Sequence, residues 1–218
     1  MFQGFIVNIS GNDTAVFDLA SGGETDGNFV INLDQGARWN GTLQGSPTNT
    51  FFAATVTVNG GAGSFFNNDG ASTINGSTTI NADVVGAGSF NVVGAGAPGA
   101  NPGKLEFVQS VGSHQSITDT ALVQIDKPNE FAASITLADS ASGITLPEID
   151  LEGLAKADSY IFKNDMLTLF SGHKVIDTLR LTDQTQFGFA VEKTASSVNI
   201  VGIDPTHPAT GTLLPMHS

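Results

Sequence analysis

The sequence predicts an all-β protein built from stacked coils, and three observations carry that prediction. Gly-Ala-Gly-Ser-Phe occurs at residues 61–65 and again at 86–90, an offset of 25 residues (86 − 61 = 25). A fixed spacing of roughly 20–50 residues marks repeat architectures, whose units are stable only when stacked on their neighbours. Short runs alternate apolar and polar residues between clusters of Gly, Asn, Asp and Pro, as in Thr55-Val56-Thr57-Val58, which is the pattern of half-buried strands. Charged residues are only 13% of the chain. Asn, Ser, Thr, Gln and Gly must therefore supply the polar surface, and these suit turns and sheet faces better than helix surfaces. An antiparallel β-sandwich is the alternative arrangement of the same strands.

Taken in order, residues 4–9, 15–19, 28–33, 51–58, 72–80, 89–93, 104–108, 121–125 and 134–137 read as strands. Residues 59–103 are the most repetitive part, and their glycines let the backbone turn corners at positive φ. The best helical candidate is 149–157, which is short for a helix standing alone. From residue 104 glycine thins and charges of both signs appear. Residues 160–169 read as two strands around Asn164-Asp165, and 171–174 as a hairpin turn leading into a strand over 175–181. Short strands at 186–191, 198–203 and 211–214 complete the chain. One continuous domain is expected, with glycine-rich coils over residues 1–103 and further coils with a capping region over 104–218. A cap is needed because the last coil would otherwise expose its core and unpaired edge groups.

Composition excludes several functions. The net charge is −13 and the only arginines are Arg38 and Arg180, so the surface repels nucleic acid and anionic lipid. No cysteine is present, which removes disulfides, thiolate zinc sites and a cysteine nucleophile. No apolar run reaches the ~18 residues of a spanning helix, so no membrane insertion is expected. Met1-Phe2-Gln3-Gly4-Phe5 lacks the basic start and long apolar run of a secretory signal.

No catalytic residues are expected. Gly-x-Ser-x-Gly is absent, and His114, His173, His207 and His217 have no evident local partner and read as solvated surface groups. Glu148, Asp150 and Glu152 alternate, which puts them on one side of an extended segment with Ile149 and Leu151 facing the core. That is a solvent face; a facing carboxylate pair for glycoside hydrolysis is the sharper alternative. No cofactor and no metal site are expected. Structural calcium is the weak exception, at Gly11-Asn12-Asp13 or Asn67-Asn68-Asp69-Gly70, where Asx turns already account for the residues. The candidate ligand-binding residues are Arg38, Trp39 and Tyr160. Trp39 beside Arg38 either stacks on a sugar ring or caps the first coil.

Some segments carry a family resemblance. Ala37-Arg38-Trp39-Asn40-Gly41-Thr42-Leu43 resembles the glycine–tryptophan coils of bacterial autotransporter passengers and large adhesins. Leu122-Val123-Gln124-Ile125-Asp126-Lys127-Pro128-Asn129-Glu130-Phe131, then Ser134-Ile135, then Gly143-Ile144-Thr145-Leu146-Pro147-Glu148-Ile149-Asp150-Leu151 is similar to the terminal β-helix module of secreted bacterial repeat proteins. A hairpin over 160–169 and a closing Gly-Thr-Leu over 211–213 follow in the same order. Departures are Ala132 and Pro147-Glu148, where those modules carry glycine and glycine–aspartate. The resemblance implies a right-handed parallel β-helix (β-solenoid) with a C-terminal β-hairpin cap. It implies a secreted or cell-surface bacterial protein with a structural or adhesive role, as a stalk, biofilm matrix component or self-assembling fibre. Its partners would be further copies of itself or a surface polysaccharide. A polysaccharide-binding or polysaccharide-degrading module on the same scaffold, such as a lyase or glycoside hydrolase, is the alternative.

Overall fold

The computed structural model describes residues 6–9, 14–16, 28–33, 35–40, 55–74, 76–96, 102–143, 145–204 and 211–217. Among these residues there is no α-helix; a 3-10 turn at Pro128–Glu130 is the one helical element. The strands are β1 (Ile6–Ile9), β2 (Thr14–Val16), β3 (Asn28–Leu33), β4 (Arg38–Asn40), β5 (Thr55–Asn67), β6 (Ala71–Ile74), β7 (Ser77–Val85), β8 (Ser89–Val92), β9 (Lys104–Phe107), β10 (Ser116–Asp119), β11 (Leu122–Ile125), β12 (Ser134–Ala138) and β13 (Glu148–Glu152). They continue with β14 (Ser159–Lys163), β15 (Met166–Ser171), β16 (Lys174–Gln184), β17 (Phe189–Lys193), β18 (Ser197–Gly202) and β19 (Thr212–Leu213).

The strands form a 12-stranded sheet in the order β1-β3-β5-β7-β9-β11-β13-β18-β17-β19, which β2 and β4 join through β5. A 7-stranded sheet has the order β14-β15-β16-β12-β10-β8-β6. Pairing is parallel from β1 through β13 in the first sheet and from β6 through β16 in the second.

Registers divide the body into three faces. The first runs Thr55↔Ser77↔Lys104↔Leu122↔Glu148. The second runs Trp39↔Phe66↔Val84 and continues through bridges from Val84 to Val111 to Phe131. The third is the small sheet, Ser72↔Phe90↔Ile117↔Ile135↔Leu181. From β7 onward the chain visits these faces in a constant order until β13 returns to the first.

Alternation explains why these residues form these strands. In β7, Thr78, Ile80, Ala82 and Val84 are buried while Thr79, Asn81 and Asp83 point outward. The inward residues meet in one core. Phe66, Phe90, Phe107 and Phe131 form an aromatic row through it, with ring centroids 6.4, 5.4 and 5.8 Å apart. Each buried Phe contributes about 1.5–3 kcal/mol of transfer free energy, and well-placed ring pairs add about 0.5–1.5 kcal/mol.

The C-terminal third is antiparallel. β13–β18–β17–β19 and β14–β15–β16 are successive antiparallel pairs. Asn164 and Asp165 take φ of 53° and 55°, the left-handed pair that a primed two-residue hairpin requires. Gly172 (φ 59°) serves the next turn, where Ser171 pairs Lys174.

Several expectations change. Residues 149–157 begin as strand, because Ile149 and Leu151 extend the core rows of Val123 and Ile125. The run 72–80 is two strands on different faces, β6 and β7. β10 was not expected because its second inward residue is Asp119 rather than an apolar one. The body's parallel pairing is incompatible with an antiparallel sandwich. The repeated pentapeptide does not mark equivalent positions: Phe65 lies on β5 in the second face, whereas Phe90 lies on β8 in the small sheet. The period it suggested is not constant: from β1 to β13 register partners on successive strands of the large sheet are 24, 27, 22, 27, 18 and 26 residues apart. Residues 4–5, 17–19, 51–54 and 75 of the expected strands lie outside the described residues.

Candidate functional site

The outward side of the first face carries an amide ladder. Asn8, Asn32, Asn59 and Asn81 are register partners on β1, β3, β5 and β7. Asn32 Nδ2 donates to Asn8 Oδ1 at 2.7 Å and Asn59 Nδ2 to Asn32 Oδ1 at 3.0 Å. Gln109 Nε2 donates to Asn81 Oδ1 at 2.8 Å, and Lys127 Nζ to Gln109 Oε1 at 2.6 Å. Stacked amides of this kind recur wherever parallel strands repeat in register.

Further along the same face the neutral polar groups give way to carboxylates. Thr79, Glu106, Gln124, Asp150, Asn199 and Glu192 form one register row. Thr79 Oγ1 donates to Glu106 Oε2 at 3.1 Å, and Asn199 Nδ2 to Glu148 Oε1 at 2.7 Å. Burial pushes the Glu148 carboxyl up, with Asp150 and Glu192 adding to the rise and the Asn199 amide opposing it. Glu152 is raised as well, by desolvation first and then by Asp150, Asp126 and Glu106. Glu148, Asp150 and Glu152 thus share the outward side with Ile149 and Leu151 buried, as expected. Among the described residues no group of three or more His, Asp and Glu is arranged to hold a metal ion.

Asp119 lies apart from this row, in the core behind the small sheet. It is 0% exposed and lies in the core row between Val92 and Leu137. Its Oδ1 accepts the Ala121 N–H at 2.9 Å, while Oδ2 has no partner. Burial pushes its carboxyl up to about 7. A second internal polar group lies at Asn68, whose Nδ2 donates to Gln115 Oε1 at 3.0 Å and whose Oδ1 accepts Ser72 Oγ at 3.2 Å. Gln115 Nε2 returns to the carbonyls of Asn68 and Val85 at 2.9 and 3.0 Å. In the Asn67-Asn68-Asp69-Gly70 turn, Asp69 accepts Asn67 Nδ2 at 2.7 Å and the Ala87 N–H at 3.1 Å. These are Asx-type contacts within the protein. Gly11-Asn12-Asp13 lies outside the described residues.

The candidate ligand residues do not converge. Arg38 lays its guanidinium over the Phe65 ring, 4.8 Å from the centroid. Trp39, one residue on, is 0% exposed in the core row of the second face. It is neither a sugar platform nor a lid but an internal rung. Tyr160 lies on β14, the far edge strand of the small sheet, and packs half-buried against the core.

The histidines include one surprise. His114 is exposed, and His207 lies outside the described residues. His217 has partners that sequence could not supply, 58 residues away in the case of Ser159. Its ring stacks on Phe170 at 4.2 Å, and His173 approaches at 5.9 Å. Its Nδ1 lies 3.0 Å from Ser159 Oγ, which donates to Asp158 Oδ1 at 2.9 Å. Asp158 also accepts the Gly172 N–H at 2.6 Å, and these bonds hold its carboxyl below the usual range. The carboxylate here bonds the serine rather than the imidazole, the reverse of the order a nucleophilic relay needs.

No protein-family model matches the chain, and no curated protein matches it. Among the described residues no helix is long and apolar enough to cross a membrane.

Proposed function

We propose that this chain is a right-handed parallel β-helix with a C-terminal antiparallel cap, serving as a structural or adhesive element of a secreted or cell-surface bacterial protein. The observation that carries the reading is the constant order in which the chain passes its three parallel faces, with side chains aligned from one pass to the next. Such a column gains cohesion with each added layer and needs no pocket. The surface offers repeated amides and carboxylates, and Arg38, Trp39 and Tyr160 are not gathered into one concave site. A stalk, a matrix component or a fibre subunit uses such a surface; a catalyst needs convergent groups. The extracellular assignment rests on the resemblance of residues 35–214 to secreted repeat modules.

Small-angle scattering combined with a glycan array tests the proposal. The expected outcome is an elongated monomer that holds surface glycans weakly or not at all and cleaves none. A compact particle defeats the β-helix reading. Depolymerisation of an acidic or neutral polysaccharide, abolished by Glu148→Gln, replaces the structural role with the enzymatic one.

A further inference from the structure

Three neighbouring strands carry the large sheet from its parallel body into its antiparallel cap. β13 is the last parallel strand, β18 pairs it in the opposite sense, and β17 follows β18. Asp150, Asn199 and Glu192 are register partners across the three. They share the outward side, because their strand neighbours Ile149, Leu151, Val198, Ile200 and Val191 fill the core. Paired strands lie about 4.8 Å apart, so Asn199 separates the two acids by roughly 10 Å at the backbone.

Both acids bury an oxygen that nothing bonds. Asp150 Oδ1 and Glu192 Oε1 have no hydrogen-bond partner among the described residues. Glu192 as a whole is only 4% exposed, and its Oε2 accepts the Gly211 N–H at 2.8 Å. Asn199 between them is engaged elsewhere. Its Nδ2 donates to Glu148 Oε1 at 2.7 Å and its Oδ1 accepts Ser197 Oγ at 2.9 Å. The ion pairs among the described residues are Lys104–Glu106 and Lys127–Glu130, neither in this row. Lys193, next to Glu192 in the chain, turns its Nζ to the Ala157 carbonyl at 3.1 Å. Both negative charges reach Glu148, whose carboxyl is raised by burial first and then by Asp150 and Glu192. Buried carboxylates are costly unless they are paired or coordinate a metal.

We propose that Asp150 and Glu192 bind one calcium-class divalent cation that bridges β13 to β17 across Asn199 and so ties the cap to the body. Carboxylate oxygens suit a hard cation, and calcium tolerates irregular ligand geometry that magnesium does not. The row supplies two acids rather than a group of three, so water completes the shell. Such a site belongs with the weaker calcium modules, at a dissociation constant of about 10⁻⁴–10⁻³ M. Because Glu192 also holds the Gly211 N–H, the same ion steadies the start of the closing segment, whose strand β19 lies beside β17. The proposal needs only the pairing of β13, β18 and β17 and stands apart from the β-helix reading.

Calcium titration of chelator-stripped protein tests it, read by calorimetry and by thermal unfolding. One ion per chain is expected, raising the unfolding temperature by about 3–6 °C at ten times its dissociation constant. Glu192→Gln and Asp150→Asn keep each side chain's shape and remove its charge. Each should weaken calcium about tenfold or more, since affinity follows ligand charge, and abolish the shift. Without calcium, Glu192→Gln should unfold no earlier than the native chain, because an uncompensated buried charge is gone; a lost shift then reports a lost ion and not a damaged fold. Should Glu192→Gln fail to fold, Asp150→Asn carries the test. Glu130→Gln, at an exposed acid paired with Lys127, should leave the shift intact. A shift that sodium reproduces at matched ionic strength, or that survives both row substitutions, is screening of the net charge of −13 and overturns the site. No binding at about 10 mM calcium overturns it equally, since that concentration exceeds the expected dissociation constant at least tenfold.

Discussion

The body between β5 and β12 and the end between β14 and β19 solve the same packing problem differently. In the body, register partners lie 18 to 27 residues apart, and an inward side chain such as Ile117 has a register neighbour on both sides. At the end, local hairpins fold back on themselves, and the Phe162–Phe189 pair at 5.0 Å is only half-buried. Loss of one body residue therefore leaves a void walled by fixed layers above and below. A half-buried residue of the end has solvent or a movable hairpin beside it. The difference teaches that cohesion concentrates in the stacked layers, while the terminal hairpins mainly shield their last edges.

The largest expected effect breaks or confirms that contrast directly. Phe107→Ala, in the middle of the aromatic row and 0% exposed, should cost about 3–5 kcal/mol by chemical denaturation. Phe189→Ala should cost clearly less, about 1–2 kcal/mol, because its ring is only partly withdrawn from water. Equal losses would erase the distinction between body and end.

Asp119 gives the next effect, read against pH. Its folded pKa is raised to about 7 from 3.8. The stability linked to its protonated form is present in full below about 3.8 and is lost as pH rises to about 7. The whole shift corresponds to at most ~4 kcal/mol. The protein should thus become more stable as pH falls from 7.5 to 5, and Asp119→Asn should flatten that slope while keeping an acceptor for the Ala121 N–H. Asp177, on β16 and raised by burial to about 6, should leave a smaller residual slope. A slope unchanged by Asp119→Asn would place the pH dependence in the surface carboxylates instead.

Glycine corners should rank below these. A Cβ on Gly103 would lie 2.4 Å from the Ile74 carbonyl oxygen and 2.9 Å from that of Val93, so Gly103→Ala forces adjacent layers apart at about 1–3 kcal/mol. Gly153, near the end, meets nothing within 4 Å but holds φ at +74°, and Gly153→Ala should cost about 1 kcal/mol through backbone strain alone. The smallest effect belongs to the ladder. Asn59→Ala removes an exposed amide bond to Asn32 and should cost about 0.5–1.5 kcal/mol. A loss of several kcal/mol there would mean that the amide ladder, not the apolar rows, holds the layers.

Much of this was legible in the chain, for local reasons. The run 28–33 coincides with β3, and Asn164-Asp165 turns where those residue types favour positive φ. Alternation placed Ile149 and Leu151 inward. Other features were hidden because their cause is a distant partner. Asp119 breaks the apolar alternation of β10, yet neighbouring layers still hold it in a strand. Trp39 reads as a sugar platform or a cap on the first coil until the register sets it beside Phe66 in a core row. His217 has no partner nearby in sequence and finds Phe170, His173 and Ser159 only when the end folds back.

By itself the sequence determined the class of the protein: strands of period two, glycine corners, an acidic surface without cysteine and hairpins toward the end. Those properties follow from residue types and near neighbours, because side-chain alternation and turn preference act over a few residues. Which residues share a row, which acid is entombed and which segment covers the final edges were decided by tertiary structure. Register between strands more than twenty residues apart is set by the summed burial of whole layers, a quantity no single stretch of chain contains.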